Sequence, residues 1–477
     1  MPTINRGRFG AVAFGATISI VSTLLAGSVL AQSAADFAFR NAVNTPPTGW
    51  DGPVFELSHQ YPSEHPGECP KEVCTWLDVD VDFSVDFSED GIPDYYEGNW
   101  HEYIMRIMAY VAEGQDPSLS NETGFATNIG GRDVWFHVPW MAYDPTQGRE
   151  FVHGTTNERT AHVADFVGDG NPNTSMNANL ASGGCEERFP HGFESWAVGV
   201  YNVWGGWAIG QAFPSDGQPA IDEYLGSAVA KGLPFPEGTV VAKFLTTNAP
   251  VDCVDYLAGS PEWQVNRHKV NDDGSYSCER EVAITRLIQV DVAVVDLRAP
   301  TRWVYGTFGY RAEGPETGLP GTFGRLIPIG VQWGSDPWTF PAVPQSESIP
   351  ARQSVLNPDI GIFEHEGCMD RLAGPVDNPM SSCMSCHGSS FAAPDRQVSM
   401  MGVNVPPTFG FDGICTQFSQ DNQNYFQNIT VPQKYRGGQF PDAISLDTSL
   451  QLAVAFTQNG YFNTDGKPVA CKDPNQF

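Results

Sequence analysis

The sequence is short of positive charge. It has no apolar run beyond its first thirty residues that could span a membrane, and it lacks the short motifs of nucleotide and acyl-transfer chemistry. Each shortage excludes something. Lys and Arg number 26 against 56 Asp and Glu, a formal net charge of −30. A surface of that sign repels phosphate backbones and excludes nucleic acid as a partner, whereas a basic redox protein would be attracted to it. A membrane helix needs about 20 consecutive apolar residues, and nothing after residue 31 approaches that, so no membrane span is expected once the N-terminal segment is removed. There is no Gly-x-Ser-x-Gly elbow, phosphate loop or dinucleotide fingerprint, which leaves hydrolase and nucleotide readings without support. Histidine and methionine are sparse, ten of each, and after His387 the chain holds only Met400 and Met401 and no further histidine.

What is present begins with an export signal. Arg6 and Arg8 form a basic start, a weakly apolar run follows from Ala11 to Leu30, and "SVLAQS" offers a cleavage point after Ala31. This is the pattern of a secretory signal peptide over 1–31. It predicts a periplasmic or secreted chain whose cysteines form disulfides. Ten cysteines are present. Cys69–Cys74 and Cys253–Cys278 are the pairings expected from the ease of closing short loops.

Gly (49) and Pro (37) are abundant, which favours short strands and many turns over long helices. "NWHEYIMRIMAYVAEG" reads as a helix capped by Asn99 and stopped at Gly114, with Trp100, Tyr103, Ile104, Ile107, Met108 and Val111 on one face. From Cys185 onward the pattern turns to strands. "SWAVGVYN" and "GWAIGQAF" around "VWG" suggest a hairpin. "GTVVAKFLTT", "ITRLIQVDVAVVDLR", "RWVYGTFGYR" and "LIPIGVQWG" read as β-branched or alternating strands. "PAVPQSESIPARQS" reads as a linker, and "DTSLQLAVAFTQN" as a helix capped by Asp447 or Thr448. The expected fold is α+β and β-rich: an antiparallel sheet or sandwich core, few helices, and a C-terminal haem-bearing segment marked by the attachment spacing Cys-x-x-Cys-His at Cys383–His387. The expected organisation is a signal over 1–31, an N-terminal α+β region over 32–184, a β-rich domain over 185–345, and a haem-attachment and C-terminal region over 346–477.

The haem expectation rests on "CMSCH". Two thiols three positions apart can add to the two vinyl groups of one porphyrin, and the next residue is then placed under the iron. Cys383, Cys386 and His387 have this c-type spacing, with His387 as the metal ligand. The motif occurs once, so one covalently bound haem is expected. A thioredoxin-like redox pair wants a βαβ context and a zinc site wants a second ligand pair, and neither accompanies the motif. The usual downstream methionine ligand is missing. The sixth ligand therefore comes from upstream, where His365, Met369 and Met380 are close, or the distal site is open to a small ligand.

The segments "FPEGTVVAKFL" and "VDVAVVDLRAPTRWVYGTFGY", followed by "CMSCH", resemble the cytochrome P-460 family and its relative, the β-sheet form of cytochrome c-prime, over residues of about 185–390. The resemblance implies a β-sheet cytochrome that binds small nitrogen ligands or oxidises hydroxylamine. It would place on Lys243 the role of a lysine cross-linked to the porphyrin. The chain departs from that family in the roughly seventy residues between Phe308 and the motif and in the ninety that follow it. Segments such as "WFHVPWMAYD" and "GREFVHGTTNERT" also look like secreted bacterial proteins that end in a similar haem motif.

Two weaker signals remain. "DFSEDGIPDYYE", Asp86–Glu97, matches a twelve-position calcium loop, with Asp86, Ser88, Asp90, Asp94 and Glu97 at ligand positions and Gly91 at the turn. Ser88 and Pro93 depart from the usual pattern. Glu364 and Glu366 lie near the haem motif in sequence and are candidates to accept protons there, while His153 and His191 sit in no recognised pattern. The leading expectation is an exported monohaem cytochrome in electron transfer with a redox partner protein. A P-460-like haem enzyme and a secreted haem-containing binding or gas-sensing module are the alternatives.

Overall fold

The run of β-branched residues in "ITRLIQVDVAVV" ends the longest strand of the molecule, and the rest of the fold is arranged on it. The computed structural model describes residues 48–51, 60–84, 94–119, 128–129, 132–138, 143–144, 148–149, 156–161, 185–190, 192–213, 235–313, 316–336, 352–359, 366–367, 371–377, 383–388, 390–392, 428 and 444–459. The expected signal segment and residues 86–93 of the expected calcium loop lie outside these. Among the described residues no helix is long and apolar enough to cross a membrane.

Eight strands build one sheet: β1 (Thr156–Ala161), β2 (Phe193–Tyr201), β3 (Val240–Thr247), β4 (Glu262–Val270), β5 (Tyr276–Val295), β6 (Trp303–Tyr310), β7 (Leu326–Gln332) and β8 (Ser354–Leu356). Their order is β8-β7-β6-β5-β3-β2-β1, and β4 pairs with the first half of β5. Every pairing is antiparallel. The fold is therefore the expected β-rich α+β class. The four strands read from the sequence are β3, β5, β6 and β7, and the end of the expected linker is the edge strand β8.

Side chains alternate across a pleated strand, and on β5 this separates two cores. Val290, Val292 and Val294 face one way, with Val240, Ala242 and Phe244 of β3 and Val304 and Phe308 of β6. Helix α1 (Trp100–Ala112) covers that face through Ile104, Ile107 and Met108. Trp100 stacks on Trp333 with ring centroids 4.5 Å apart and an interplanar angle of 5°. At this end of the sheet, fully buried Asp296 is paired with Arg298 (2.7 Å) and accepts from the Tyr103 hydroxyl (3.0 Å). Arg298 also donates to the carbonyls of Val79 and Trp76, which ties the segment before α1 to the sheet.

Helix α1 has the predicted apolar face but ends at Ala112, where Glu113 turns extended ahead of Gly114, whose φ is 74°. Asn99 stands at its start but does not cap it through its side chain. It adopts φ 60°, and its amide instead donates to the Asp80 carbonyl.

Three further expectations are corrected. The predicted hairpin after β2 is instead helix α2 (Val203–Ala212). Asn202 decides this: its side-chain oxygen accepts from Gly205 N–H (3.3 Å) and Val240 N–H (3.0 Å), while its amide donates to the Gly238 carbonyl (2.8 Å). Adjacent glycines cost a helix about 1 kcal/mol each. Here they let α2 pack closely, since a side chain at Gly205 would meet Tyr201 of β2 and one at Gly206 would meet Phe136.

The C-terminal helix α4 (Leu450–Asn459) is capped by neither Asp447 nor Thr448. Ser449 accepts from Leu452 N–H, because both predicted caps are held in left-handed backbone.

Cys69–Cys74 is bridged as expected, but Cys253 pairs with Cys185 and not with Cys278. Cys253 lies just past the end of β3, whose last residue pairs with Arg286. Cys278 stands eight residues before Arg286 on β5, roughly 26 Å from that pair at the rise of a strand, and it is held in a different disulfide.

Loop length sets how much each bridge restrains the unfolded chain. By chain entropy the 68-residue Cys185–Cys253 closure is worth about 4 kcal/mol and the five-residue Cys69–Cys74 closure about 2 kcal/mol. In denaturant titrations under oxidising conditions, Cys185→Ala/Cys253→Ala should lower the unfolding midpoint about twice as far as Cys69→Ala/Cys74→Ala. An equal loss from both would show that loop closure does not govern these bridges.

Candidate functional site

The opposite face of the sheet carries the second core and the Cys-x-x-Cys-His motif. Tyr201, Val295, Trp303 and Tyr305 from the strands meet Ala208, Ile209 and Phe213 around α2, and Leu452, Ala455 and Phe456 of α4. The motif itself forms a five-residue helix, α3 (Cys383–His387). Met384 is buried in this core, and half-buried Cys383 packs where the two cores adjoin. The Met384 amide donates to Gln332 Oε1 of β7 at 3.4 Å.

The residues after the motif are tied to the start of α4. Ser390 donates its hydroxyl to the Ser449 carbonyl (2.6 Å), and the Leu446 amide donates to the Ser390 carbonyl (3.2 Å). Phe391 and Ala392 pair with Ser445 and Ile444.

His387 is oriented by this arrangement. Its Nδ1 lies 2.9 Å from the Thr448 carbonyl. A carbonyl can only accept, so Nδ1 carries a proton, and it is Nε2 that the neutral ring offers to a metal. The Tyr305 ring packs 4.9 Å from the imidazole, tilted by 43°. Burial pushes the Tyr305 phenol well above its ordinary range, so it stays neutral.

The carbonyl that holds His387 belongs to a strained turn. Asp447 and Thr448 have φ of 48° and 67°, and the facing Arg302 has 67°. Such backbone costs of order 1–3 kcal/mol per residue. Charge-assisted contacts offset it: Asp447 accepts from the Phe235 amide (2.7 Å) and faces Arg302 Nη1 (3.3 and 3.4 Å), while Arg302 Nη2 donates to the Phe235 carbonyl (2.8 Å). Burial raises the Asp447 carboxyl, and Arg302 opposes that rise.

Lys243 of β3 lies on this same face. It stands opposite Asp291 of β5 in register, and Asp291 stands opposite Thr307 of β6. The neighbouring row runs Val241, Ala293, Tyr305. Lys243, Val241, Asp291 and Ala293 are only half-buried, whereas the residues between them on the other face are fully buried. At the spacings of a sheet, the Lys243 and Tyr305 backbones are roughly 12 Å apart.

Sequence reading missed the polar cluster beside Lys243. Gln289 Nε2 donates to Asp291 (2.7 Å) and to Asp377 (3.1 Å), and the Thr307 hydroxyl donates to Asp291 (3.0 Å). Asp377 also accepts from Gly374 N–H (2.7 Å), and Gln289 Oε1 accepts from Val376 N–H (3.1 Å). The Asp291 carboxyl is desolvated although part of the side chain is accessible. Burial, then the nearby Asp377 charge, push it up to about 8, against the pull of Lys243. The signal available in the sequence was a single acid inside an otherwise apolar β-branched strand, "VDVAVV".

The residues present suit a c-type haem in their chemistry. These are an imidazole oriented by a carbonyl, a thiol at the head of the motif helix and apolar neighbours from β6 and α4. No group of three or more His, Cys, Asp or Glu side chains able to hold a bare ion occurs among the described residues. Haem iron needs only one such protein ligand.

Glu366 lies in a two-residue strand paired with Arg371–Leu372. Glu364, His365, Met369, Met380, Met400, Met401, His153 and His191 lie outside the described residues. From the expected calcium loop, Asp94 is exposed and its carboxylate accepts from the Tyr96 and Glu97 amides. No protein-family model, curated protein or solved structure matches the chain.

Because the Asp291 carboxyl binds its proton more tightly folded than unfolded, its contribution to stability is fully present below its ordinary value of 3.8. That contribution is lost as pH rises toward about 8. A carboxamide in place of this carboxyl could still accept from Gln289 and Thr307. Asp291→Asn should therefore gain in melting temperature relative to the parent as pH rises from 5 to 8.5. A difference that stays constant across that range would refute the raised carboxyl.

Proposed function

We propose that the chain is an exported c-type haem protein. It carries one haem on Cys383 and Cys386, with His387 as the iron ligand, and its role is one-electron transfer. The observation that carries this reading is the His387 Nδ1–Thr448 carbonyl hydrogen bond (2.9 Å) directly after the attachment spacing. A hydrogen bond to the far nitrogen is what orients a ligating histidine and strengthens it as a donor.

When bound, haem supplies a one-electron couple and an iron site for a small ligand. The chain's own residues do the rest. His387 donates Nε2. Met384, Tyr305, Leu452 and Phe456 exclude water from that side. The net charge of −30 favours docking of a basic redox partner. The disulfides are compatible with an oxidising exterior, and periplasmic or secreted localisation belongs to this reading.

A second reading has its own support. Lys243 shares the sheet face of Tyr305 and His387, which favours a P-460-like haem enzyme that oxidises hydroxylamine or binds small nitrogen ligands, with Lys243 joined to the porphyrin.

Expression with haem-maturation machinery separates these readings. The parent should retain haem after denaturation, and Cys383→Ser or Cys386→Ser should each abolish or sharply reduce that covalent retention. Loss of haem from the denatured parent would end both readings. A sharp low-spin α band, unchanged in Lys243→Ala, is the electron-transfer outcome. A broad high-spin spectrum with a red-shifted reduced Soret band, lost in Lys243→Ala, is the P-460 outcome.

A further inference from the structure

Asp291, Asp377, Gln289 and Thr307, with Lys243 opposite in register, form a cluster that the electron-transfer reading does not use. Asp291 is one cross-strand row from Ala293, and Ala293 stands opposite Tyr305, whose ring touches His387. At sheet spacings the Asp291 and Tyr305 backbones are roughly 8 Å apart. The two carboxylates share one amide donor, since Gln289 Nε2 reaches both, and Gln289 is locked in that orientation by Val376 N–H. Asp377 ends the described part of the loop that leads to the motif. Asp291, Asp377 and Lys243 all remain half-buried, so protons can be exchanged with water.

We propose that the Asp291–Asp377 pair is a proton-loading site that couples reduction of the haem to uptake of one proton. This inference rests on the haem reading above. Among the described residues, the charges facing Asp291 are Lys243 from β3 and Asp377 from the loop. Its other neighbours, Gln289 on β5 and Thr307 on β6, are neutral donors. Two carboxylates and one ammonium leave the cluster one negative charge when fully ionised, in surroundings that disfavour charge. Added negative charge nearby raises carboxyl affinity for protons. One electron enters from a one-electron donor protein. One proton from water binds a carboxylate oxygen of the pair, an O–H bond forms, and the net charge of the site is unchanged. The proton belongs to the pair and not to either residue alone.

The test uses the haem-loaded protein. Midpoint potentials are measured by spectroelectrochemistry from pH 5 to 10 for the parent, Asp291→Asn and Asp377→Asn, with reduced-minus-oxidised infrared spectra of each. In the parent, over one pH window, the redox equilibrium should change by up to tenfold per pH unit, about 59 mV for a one-electron couple. A carboxylic C=O band should grow on reduction. Asp291→Asn should flatten that window and remove the band, and Asp377→Asn should shift the window to lower pH by removing a like charge. A parent potential independent of pH, or an Asp291→Asn variant with the parent's slope and band, would overturn the proposal. A parent without covalent haem would overturn the haem reading itself, an outcome visible before any potential is measured.

Discussion

The pleat of β5 is the constraint on which the rest of the molecule depends. The strand is paired on both edges, with β3 on one side and β6 on the other, so its register cannot slip without turning every side chain to the wrong face. With that register, Val290, Val292 and Val294 close the core under α1, and Asp291, Ala293 and Val295 are delivered to the face that carries the motif. A single strand thus supplies the hydrophobic floor of one layer and the polar lining of the other.

The motif face is organised by hydrogen bonds between segments distant in sequence. The His387 ring is set by a carbonyl 61 residues away, and Ser390 is tied to Ser449 across 59. Strain is concentrated at this point. Arg302, Asp447 and Thr448 all adopt positive φ, and the ion pair between Arg302 and Asp447 compensates. Backbone strain held by specific contacts is common where a side chain must be aimed, and here it aims the histidine.

Much of the sheet was legible locally. "VVAKFLTT", "WVYGTFGY" and "LIPIGVQ" are β-branched and aromatic runs between glycines and prolines, and they are strands. The α1 face was legible because its apolar residues repeat at helical spacing. "NVWGGWAIGQA" misled because it is apolar all round, so neither period stands out. Its three glycines argue against a helix until Asn202 is seen bonding both the helix start and the turn before β3. Short-loop closure named Cys69–Cys74 correctly and failed for Cys253, because its partner is set by where β3 ends in space.

By itself the sequence determined the residue types at the motif, the acidic balance, the β-rich class and the main strand segments. These depend on local spacing and composition, which every window of chain carries. Tertiary structure alone decided that Lys243 stands opposite Asp291, that Asp377 joins it through Gln289, and that Thr448 holds His387. Such pairings follow from strand register and long-range closure, which depend on the whole sheet and leave no mark in any short stretch of sequence.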